Sequence, residues 1–215
     1  MKLLALNSGG LDSPVATHRM LAKGFDMEAV VFDNRPFTDE EDIETAVATV
    51  EELAESHDAS IPLHTVPHGF VQEAYLQEAD DEEVDYACLF SRRMMFRVAS
   101  ELASRRDAGG LVTGENLAQV ASQTLDNMVV IDDAATVPVF RPVLGLDNYE
   151  LSQEARRIGT FDLSRQGGIV CSATPDHPET HGTLERMREI EERFDLGDLV
   201  DRSLERAETQ LVNER

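Results

Sequence analysis

The chain has 215 residues, of which 41% are hydrophobic, so it can bury one sizeable core with little left for a second independent domain. Its 42 acidic and 19 basic residues give a net charge of -23, which excludes the overall positive charge by which most nucleic-acid-binding proteins attract phosphates. The sequence contains neither a run of about 18 apolar residues nor a signal-peptide pattern, and we predict a single cytoplasmic domain over residues 1–215 without a membrane span.

The first half of the chain alternates short apolar runs with longer stretches of helical periodicity. The apolar runs lie at 3–6, 29–32, 61–63 and 111–112, and the helical stretches at 14–22, 41–56, 88–103 and 117–125. Apolar runs without alternation are typical of strands that are buried on both faces. The order of elements therefore predicts an α/β fold with a doubly wound, mainly parallel sheet.

The second half is less regular. Prolines favour an extended segment at 138–142, and a helix is predicted over 148–158, where Gly159 ends it. A charged helical segment is predicted from about 179 to 215, with helices at 179–194 and 199–211. The acidic run at 78–85 is predicted to be a solvated loop.

A glycine-rich loop, Ser8-Gly9-Gly10-Leu11-Asp12-Ser13, separates the first predicted strand from the first helix. Paired glycines let backbone N–H groups approach phosphate oxygens, and the positive end of the following helix favours an anion. The Gly-Lys-Ser/Thr ending of phosphoryl-transferring loops is absent, whereas Asp12 suits a Mg²⁺ ion that bridges phosphates leaving together. We predict a pyrophosphate-binding loop, and the alternative is a plain turn capped by Asp12 or Ser13.

Further segments extend this signature over most of the chain. They are SGGLDSPVA at 8–16, AVVFDNRPFT at 29–38, SRRMMFRVA at 91–99, LVTGENLAQVASQTLDN at 111–127, PVFRPVLGLDNYEL at 138–151, IGTFDLS at 158–164 and VCSATPDHPET at 170–180. Together they resemble the tRNA 4-thiouridine synthase (ThiI) family, a branch of the PP-loop ATP pyrophosphatases. The resemblance implies an adenine nucleotide alpha hydrolase-like fold.

The resemblance also implies an activity, that of an ATP-dependent sulfurtransferase. Such an enzyme adenylates a uridine carbonyl of tRNA with ATP and Mg²⁺ and releases pyrophosphate, after which persulfide or sulfide sulfur displaces AMP. The implied partners are ATP, tRNA, an external sulfur donor and a second copy in a homodimer. Two alternatives stay open: a PP-loop ATP pyrophosphatase that acts on a small substrate or in thiamine thiazole sulfur transfer, and a non-catalytic adenine-nucleotide-binding regulator.

By the same resemblance, the ATP pocket is expected to contain residues from four parts of the chain. They are Leu6, Asn7, Ser8, Gly9, Gly10, Asp12, Ser13, Val31, Phe32, Arg92, Gly114 and Gln123. Ends of parallel strands, such as Asn7 and Phe32, meet at the edge where ligands bind, and the guanidinium of Arg92 suits a phosphate. The alternatives are a purely structural strand for Val31 and Phe32, and solvated side chains for Arg92 and Gln123.

Two cysteines, Cys88 and Cys171, are the candidates for sulfur chemistry. Cys171 stands where the family has a sulfur-transferring cysteine, and Cys88 is the candidate second member of a thiol relay; an inert buried thiol is the alternative for Cys171. Archaeal relatives carry a Cys-x-x-Cys associated with an iron–sulfur cluster, but here Ser91 takes the second position. We therefore do not expect this chain alone to hold such a cluster.

Relatives also carry THUMP RNA-binding and rhodanese domains that this sequence does not resemble. RNA binding is expected to need a separate subunit or protein, or the local arginines Arg92, Arg93, Arg97, Arg105 and Arg106. Only two residues are lysines, Lys2 and Lys23, and at molar salt the screening length falls to about 3 Å, which removes most self-repulsion between acidic groups. This composition predicts a haloarchaeal protein, with an ordinary acidic protein as the alternative.

Overall fold

In residues 1–117, 120–165 and 171–213, which the computed structural model describes, six strands form one sheet. They are β1 (Lys2–Leu6), β2 (Asp26–Asp33), β3 (Ile61–Pro67), β4 (Leu111–Thr113), β5 (Val139–Phe140) and β6 (Glu208–Val212). Their order is β5-β4-β1-β2-β3-β6, and β6 runs antiparallel to β3 while the other neighbours are parallel. The predicted α/β fold with a mainly parallel sheet is confirmed.

Helices cover both faces of the sheet. They are α1 (Asp12–Leu21), α2 (Glu40–Ser56), α3 (Gly69–Glu78), α4 (Ala87–Arg105), α5 (Leu125–Asp132), α6 (Asn148–Arg157), α7 (Leu184–Glu191) and α8 (Leu196–Glu205). Short 3₁₀ turns lie at Val84–Tyr86, Ala121–Gln123 and Leu163–Arg165. In the part of the chain with described coordinates, no helix combines the length and the apolar character needed to cross a bilayer.

Alternate residues of each central strand enter different cores. Leu4 and Leu6 of β1 pack with α3, α4, α5, α7 and α8, whereas Leu3 and Ala5 pack with α1, α2 and α6. A third cluster joins β2, β3 and β6 to α2. Because both faces are covered, the strands need apolar residues at successive positions, which explains the unbroken runs in the sequence.

Three of the predicted helices were wrong in extent. The one predicted over 179–194 is limited to Leu184–Glu191, where the Thr183 hydroxyl caps its start by accepting from Arg186 N. The helix predicted over 199–211 ends at Glu205, and residues 208–212 form β6, because the free edge of β3 offers them backbone hydrogen bonds. Residues 118–119 of the helix predicted over 117–125 lie outside the described residues. The described helix there begins at Leu125, where the Thr124 hydroxyl caps it by accepting from Asn127 N. The helix α3 was not predicted.

The acidic run is not uniformly solvated. Glu83 is buried, and its carboxylate accepts hydrogen bonds from Arg193 and from Arg186, the latter at 3.0 Å. Its backbone carbonyl accepts from the Tyr75 hydroxyl at 2.6 Å. The prediction of a solvated loop is therefore wrong at this residue, which links the segment to α3 and α7.

Four of the five arginines in the predicted cluster are paired with carboxylates of the same chain. The fully buried Arg93 donates to Glu191 at 2.7 and 2.8 Å and to Asp133 at 3.1 Å. Arg97 pairs with Glu191, Arg105 with Glu101 and Arg106 with Glu28, all within 2.9 Å. The expectation of contact with a polyanion is wrong for Arg93, which is fully buried, whereas Arg97, Arg105 and Arg106 are partly exposed and for them it stays a prediction. Within the described ranges, Arg92 alone of the five has no such partner.

We expect Arg93→Met to lower the free energy of unfolding by about 3 kcal/mol, because Glu191 would stay buried with one of its two cations removed. Urea titration at constant potassium chloride measures the change. Arg105→Met removes an exposed pair on the same helix and should cost under about 0.5 kcal/mol. Equal losses in the two variants would contradict the role given to the buried pair.

Candidate active site

The loop between β1 and α1 has a conformation that its own side chains fix. The buried Asn7 donates from Nδ2 to Ala46 O at 2.8 Å and to Thr49 Oγ1 at 2.9 Å, and its Oδ1 accepts from Ser13 Oγ at 2.9 Å. Ser8 N donates to Ser13 Oγ at 3.0 Å. Asn7 therefore ties the loop to α2, and Ser13 closes it.

Glycine is required at two places where this loop is tightly packed. Gly9 has φ of +74°, and a Cβ there would lie 2.8 Å from Ala46 N. Gly114 follows β4, and a Cβ there would lie 2.5 Å from Ser13 N. The loop is thus held between α2 and the end of β4, at the carboxyl edge of the sheet.

Asp12 is the first residue of α1, and it is half-buried. Burial raises the pKa of its carboxyl group, and no hydrogen bond or ion pair to it occurs within the described ranges. The helix has Leu11 as its N-cap and no capping side chain, so the alternative of a turn capped by Asp12 or Ser13 does not hold. Free N–H groups at a helix start fit a phosphate, and an unneutralised carboxylate fits Mg²⁺.

Residues after β4 form a buried polar group next to the loop. Glu115 accepts at Oε2 from Thr113 Oγ1 at 3.1 Å and from Arg141 Nε at 2.9 Å. The amide of the buried Asn116 donates to Leu146 O at 2.6 Å. Sequence reasoning missed both residues, although two polar residues directly after a buried strand and a glycine are a usable signal. They fix the segment that carries Gly114.

The other residues expected around the nucleotide lie in different environments. The Val31 side chain is buried in the core with α2, and Leu6 is buried in the opposite core. Phe32 is half-buried and meets the His68 ring edge-on. Gln123 is buried in a 3₁₀ turn, and its Oε1 has no partner among described residues, so it is not a solvated side chain.

The two cysteines lie near each other and are both reduced. Cys88 is in the first turn of α4, where burial raises the pKa of its thiol, a hydrogen bond with Thr174 lowers it and the nearby Cys171 raises it. Cys171 Sγ donates to Gln72 Oε1 at 3.6 Å, and its carbonyl accepts from Thr174 N at 3.0 Å. The neighbouring Ser172 N donates to Phe37 O at 2.8 Å, which fixes the segment against the loop after β2.

Ser91 belongs to a chain of hydrogen bonds. Its Oγ lies 3.0 Å from His68 Nε2 and accepts from Gln72 Nε2 at 3.1 Å. In the portions with described coordinates, no three His, Cys, Asp or Glu side chains are grouped to hold a metal.

Comparison with known proteins places this site among relatives. The family model described as Thiamine biosynthesis protein (ThiI) matches residues 1–196. The chain is 36% identical over 213 residues to a probable tRNA sulfurtransferase of Bacillus pumilus (strain SAFR-032), covering 98% of this chain and 52% of that protein. It is 40% identical over 206 residues to one of Nocardia farcinica (strain IFM 10152), covering 95% and 49%. The chain thus spans about half the length of these relatives.

A solved structure gives the same result for the fold. The crystal structure of a 4-thiouridine synthetase–RNA complex with bound ATP superposes with a TM-score of 0.89 at 32% identity, covering 98% of this chain and 55% of that one.

Proposed function

The chain belongs to the ThiI family, and from that premise we propose that it catalyses ATP-dependent adenylation of a uridine carbonyl in tRNA as the first half of sulfur transfer. The observation that carries the proposal is the likeness, over 98% of the chain, to a 4-thiouridine synthetase that holds ATP. The uncapped start of α1 and the Asp12 carboxylate, which has no partner among the described residues, support it because they supply what a pyrophosphate group and its metal need.

In this proposal the loop binds the β- and γ-phosphates through backbone N–H groups and the hydroxyl of Ser8. Asp12 would hold Mg²⁺, and the ion would supply charge neutralisation on the phosphates that leave. The uridine oxygen attacks the α-phosphorus, the bond to the β-phosphate breaks, and pyrophosphate leaves. Sulfur from an external donor then attacks the adenylated carbon, and AMP leaves.

Several further roles belong to the same proposal. Cys171 would take the outer sulfur of an external persulfide donor, whose thiol leaves, and this sulfur would attack the adenylated carbon as AMP leaves. The nearby Cys88 would then attack Cys171 Sγ, so that thiouridine leaves and a Cys88–Cys171 disulfide forms, which an external thiol would reduce. Residues 1–215 would act as one PP-loop domain. RNA would be bound mainly by a separate subunit or protein, because Arg93 is buried and Arg97 and Arg105 already pair with carboxylates of this chain. The net charge of -23 supports the proposal that the protein works in a salt-rich cytoplasm. A homodimer is the expected assembly.

A second candidate function has one observation in its favour, the match to a family that is named for thiamine biosynthesis. The same adenylating chemistry would then act on a small substrate or protein in thiazole formation. The structure of the loop suits either substrate, because the loop contacts the phosphates and not the group that receives AMP.

The test is pyrophosphate release from ATP in molar potassium chloride with Mg²⁺, with and without total tRNA from a strain that lacks the gene. Stimulation by this tRNA, with 4-thiouridine formed when a sulfur donor is added, would support the proposal. Release that does not respond to tRNA would favour the small-substrate candidate. Binding of ATP without any release would favour the non-catalytic regulator.

We expect Gly114→Ala to weaken ATP binding by at least about tenfold, because its Cβ would displace Ser13 N and with it the loop. Isothermal titration with a non-hydrolysable ATP analogue measures the dissociation constant. Gly145→Ala is the matched control, since a Cβ there meets nothing within 4 Å. Unchanged binding in Gly114→Ala would show that the loop does not form the phosphate site.

A further inference from the structure

A chain of hydrogen bonds leads from the Cys171 thiol into the protein. Cys171 Sγ donates to Gln72 Oε1 at 3.6 Å, and Gln72 Nε2 donates to Ser91 Oγ at 3.1 Å and to Asn34 Oδ1 at 3.3 Å. Ser91 Oγ in turn lies 3.0 Å from Nε2 of His68. Gln72 is thus the one described residue that hydrogen-bonds directly to the thiol. Asn34 and Ser91 orient its amide, and His68 supports Ser91.

We propose that Gln72 is the positioning residue of Cys171 and holds its sulfur in both the thiol and the thiolate forms. The proposal rests on the sulfur-handling role proposed above for Cys171. Gln72 takes part in no covalent step, and its side chain acts only through its hydrogen bond to the Cys171 sulfur.

The chemistry of an amide allows both forms to be held. Its oxygen accepts from a thiol, as in the structure, and a half-turn of the amide would bring its NH₂ group to the same place as a donor to a thiolate. The Ser91 hydroxyl and the Asn34 amide can each donate or accept, so they can support either orientation. A residue with an oxygen alone, or without polar atoms, would lack this double capacity.

The hydrogen-bond chain ends inside the protein at the imidazole ring of His68, which is neutral. His68 is fully buried, and burial lowers its pKa to about 3, so the ring stays neutral throughout the working range. Its Nδ1 has no partner among described residues, so the contact with Ser91 at Nε2 is the one hydrogen bond of the ring there. The other ionisable groups around the chain are Cys88 and Arg92 on α4, and the mutually paired Asp33 and Arg35 beside Asn34.

The test compares Gln72→Glu and Gln72→Met with the wild-type protein by the rate of iodoacetamide alkylation at Cys171, followed from pH 6 to 10 by peptide mass spectrometry. A carboxylate beside the sulfur opposes the thiolate, so Gln72→Glu should react about tenfold or more slowly near pH 7, with its profile moved to higher pH. Gln72→Met should react at an intermediate rate. The matched control is Gln77→Glu, which makes the same change on the exposed face of α3 and should follow the wild-type profile.

Superimposable profiles for the two Gln72 variants, or wild-type profiles in both, would overturn the proposal, and urea titration would show that each variant is folded. If Gln72 had only a structural role, the alkylation rates would not fall in the order wild type, Gln72→Met, Gln72→Glu, which follows the charge of the side chain. Thiouridine formation should fall with the alkylation rate while pyrophosphate release stays unchanged. If the wild-type protein forms no thiouridine, the proposed function fails, and the alkylation profiles still decide the role of Gln72.

Discussion

Asp12→Ala should abolish pyrophosphate release, lowering the rate by at least about a thousandfold. Asp12 begins α1 beside the uncapped helix start, and no described group neutralises its carboxylate. With Mg²⁺ lost, the negative charge that builds up on the leaving pyrophosphate would have no counter-ion at this position. The measurement is a coupled pyrophosphate assay at saturating ATP.

The loss should occur in a protein that is at least as stable as the wild type. Burial raises the pKa of Asp12 above its unfolded value, so this carboxyl group favours the folded state when protonated and opposes it once pH rises through the folded pKa. At neutral pH, Asp12→Asn should therefore not lower the free energy of unfolding. Asp198→Ala, which removes an exposed acid from the first turn of α8, should leave pyrophosphate release unchanged. Wild-type release by Asp12→Ala would exclude Asp12 from the mechanism.

Cys171→Ser should abolish 4-thiouridine formation, by more than about a hundredfold, while adenylation proceeds at the wild-type rate. A hydroxyl cannot form or resolve a persulfide, but it can still donate to Gln72 Oε1, so the local structure should be kept. Pyrophosphate release measures the first half of the reaction, and nucleoside analysis of digested tRNA measures the second.

The neighbouring Ser172 supplies the control for this prediction. Ser172→Ala removes a hydroxyl that donates to Phe37 O at 3.2 Å, whereas the backbone bond from Ser172 N to the same carbonyl remains. This variant should form thiouridine normally. If Cys171→Ser does the same, Cys171 has a structural role only, and the sulfur must reach the uridine by another route.

The elements that were predicted correctly are those determined by residues close together in the sequence. Strands β1 to β4 are buried on both faces and so appear as unbroken apolar runs. The β6 strand could not be found in this way, because four of its five residues are exposed and its pairing depends on the edge of β3, far away in the sequence. Arg93 looked like a surface cation because its partner Glu191 lies 98 positions later.

In the candidate site, too, local features could be predicted from the sequence and contacts between distant residues could not. The phosphate loop is a local motif, and its glycines and its position between a strand and a helix could be predicted from adjacent residues. The contact of Gln72 with Cys171 spans 99 positions, and α3 itself gave no clear helical signal. Nothing in the sequence marks this glutamine as a candidate site residue, so only the folded structure shows that it contacts the thiol.

The ends of the sheet affect how copies of this protein meet at high salt, where screened charges no longer keep molecules apart. A free strand edge is a template for pairing with another chain, and aggregation through such edges is a hazard. Here one outer strand, β5, has only two residues, and the other, β6, begins with the exposed Glu208 and carries polar side chains along most of its length. Neither edge offers a long apolar template, so crowded molecules should stay dispersed even after their mutual repulsion has been removed.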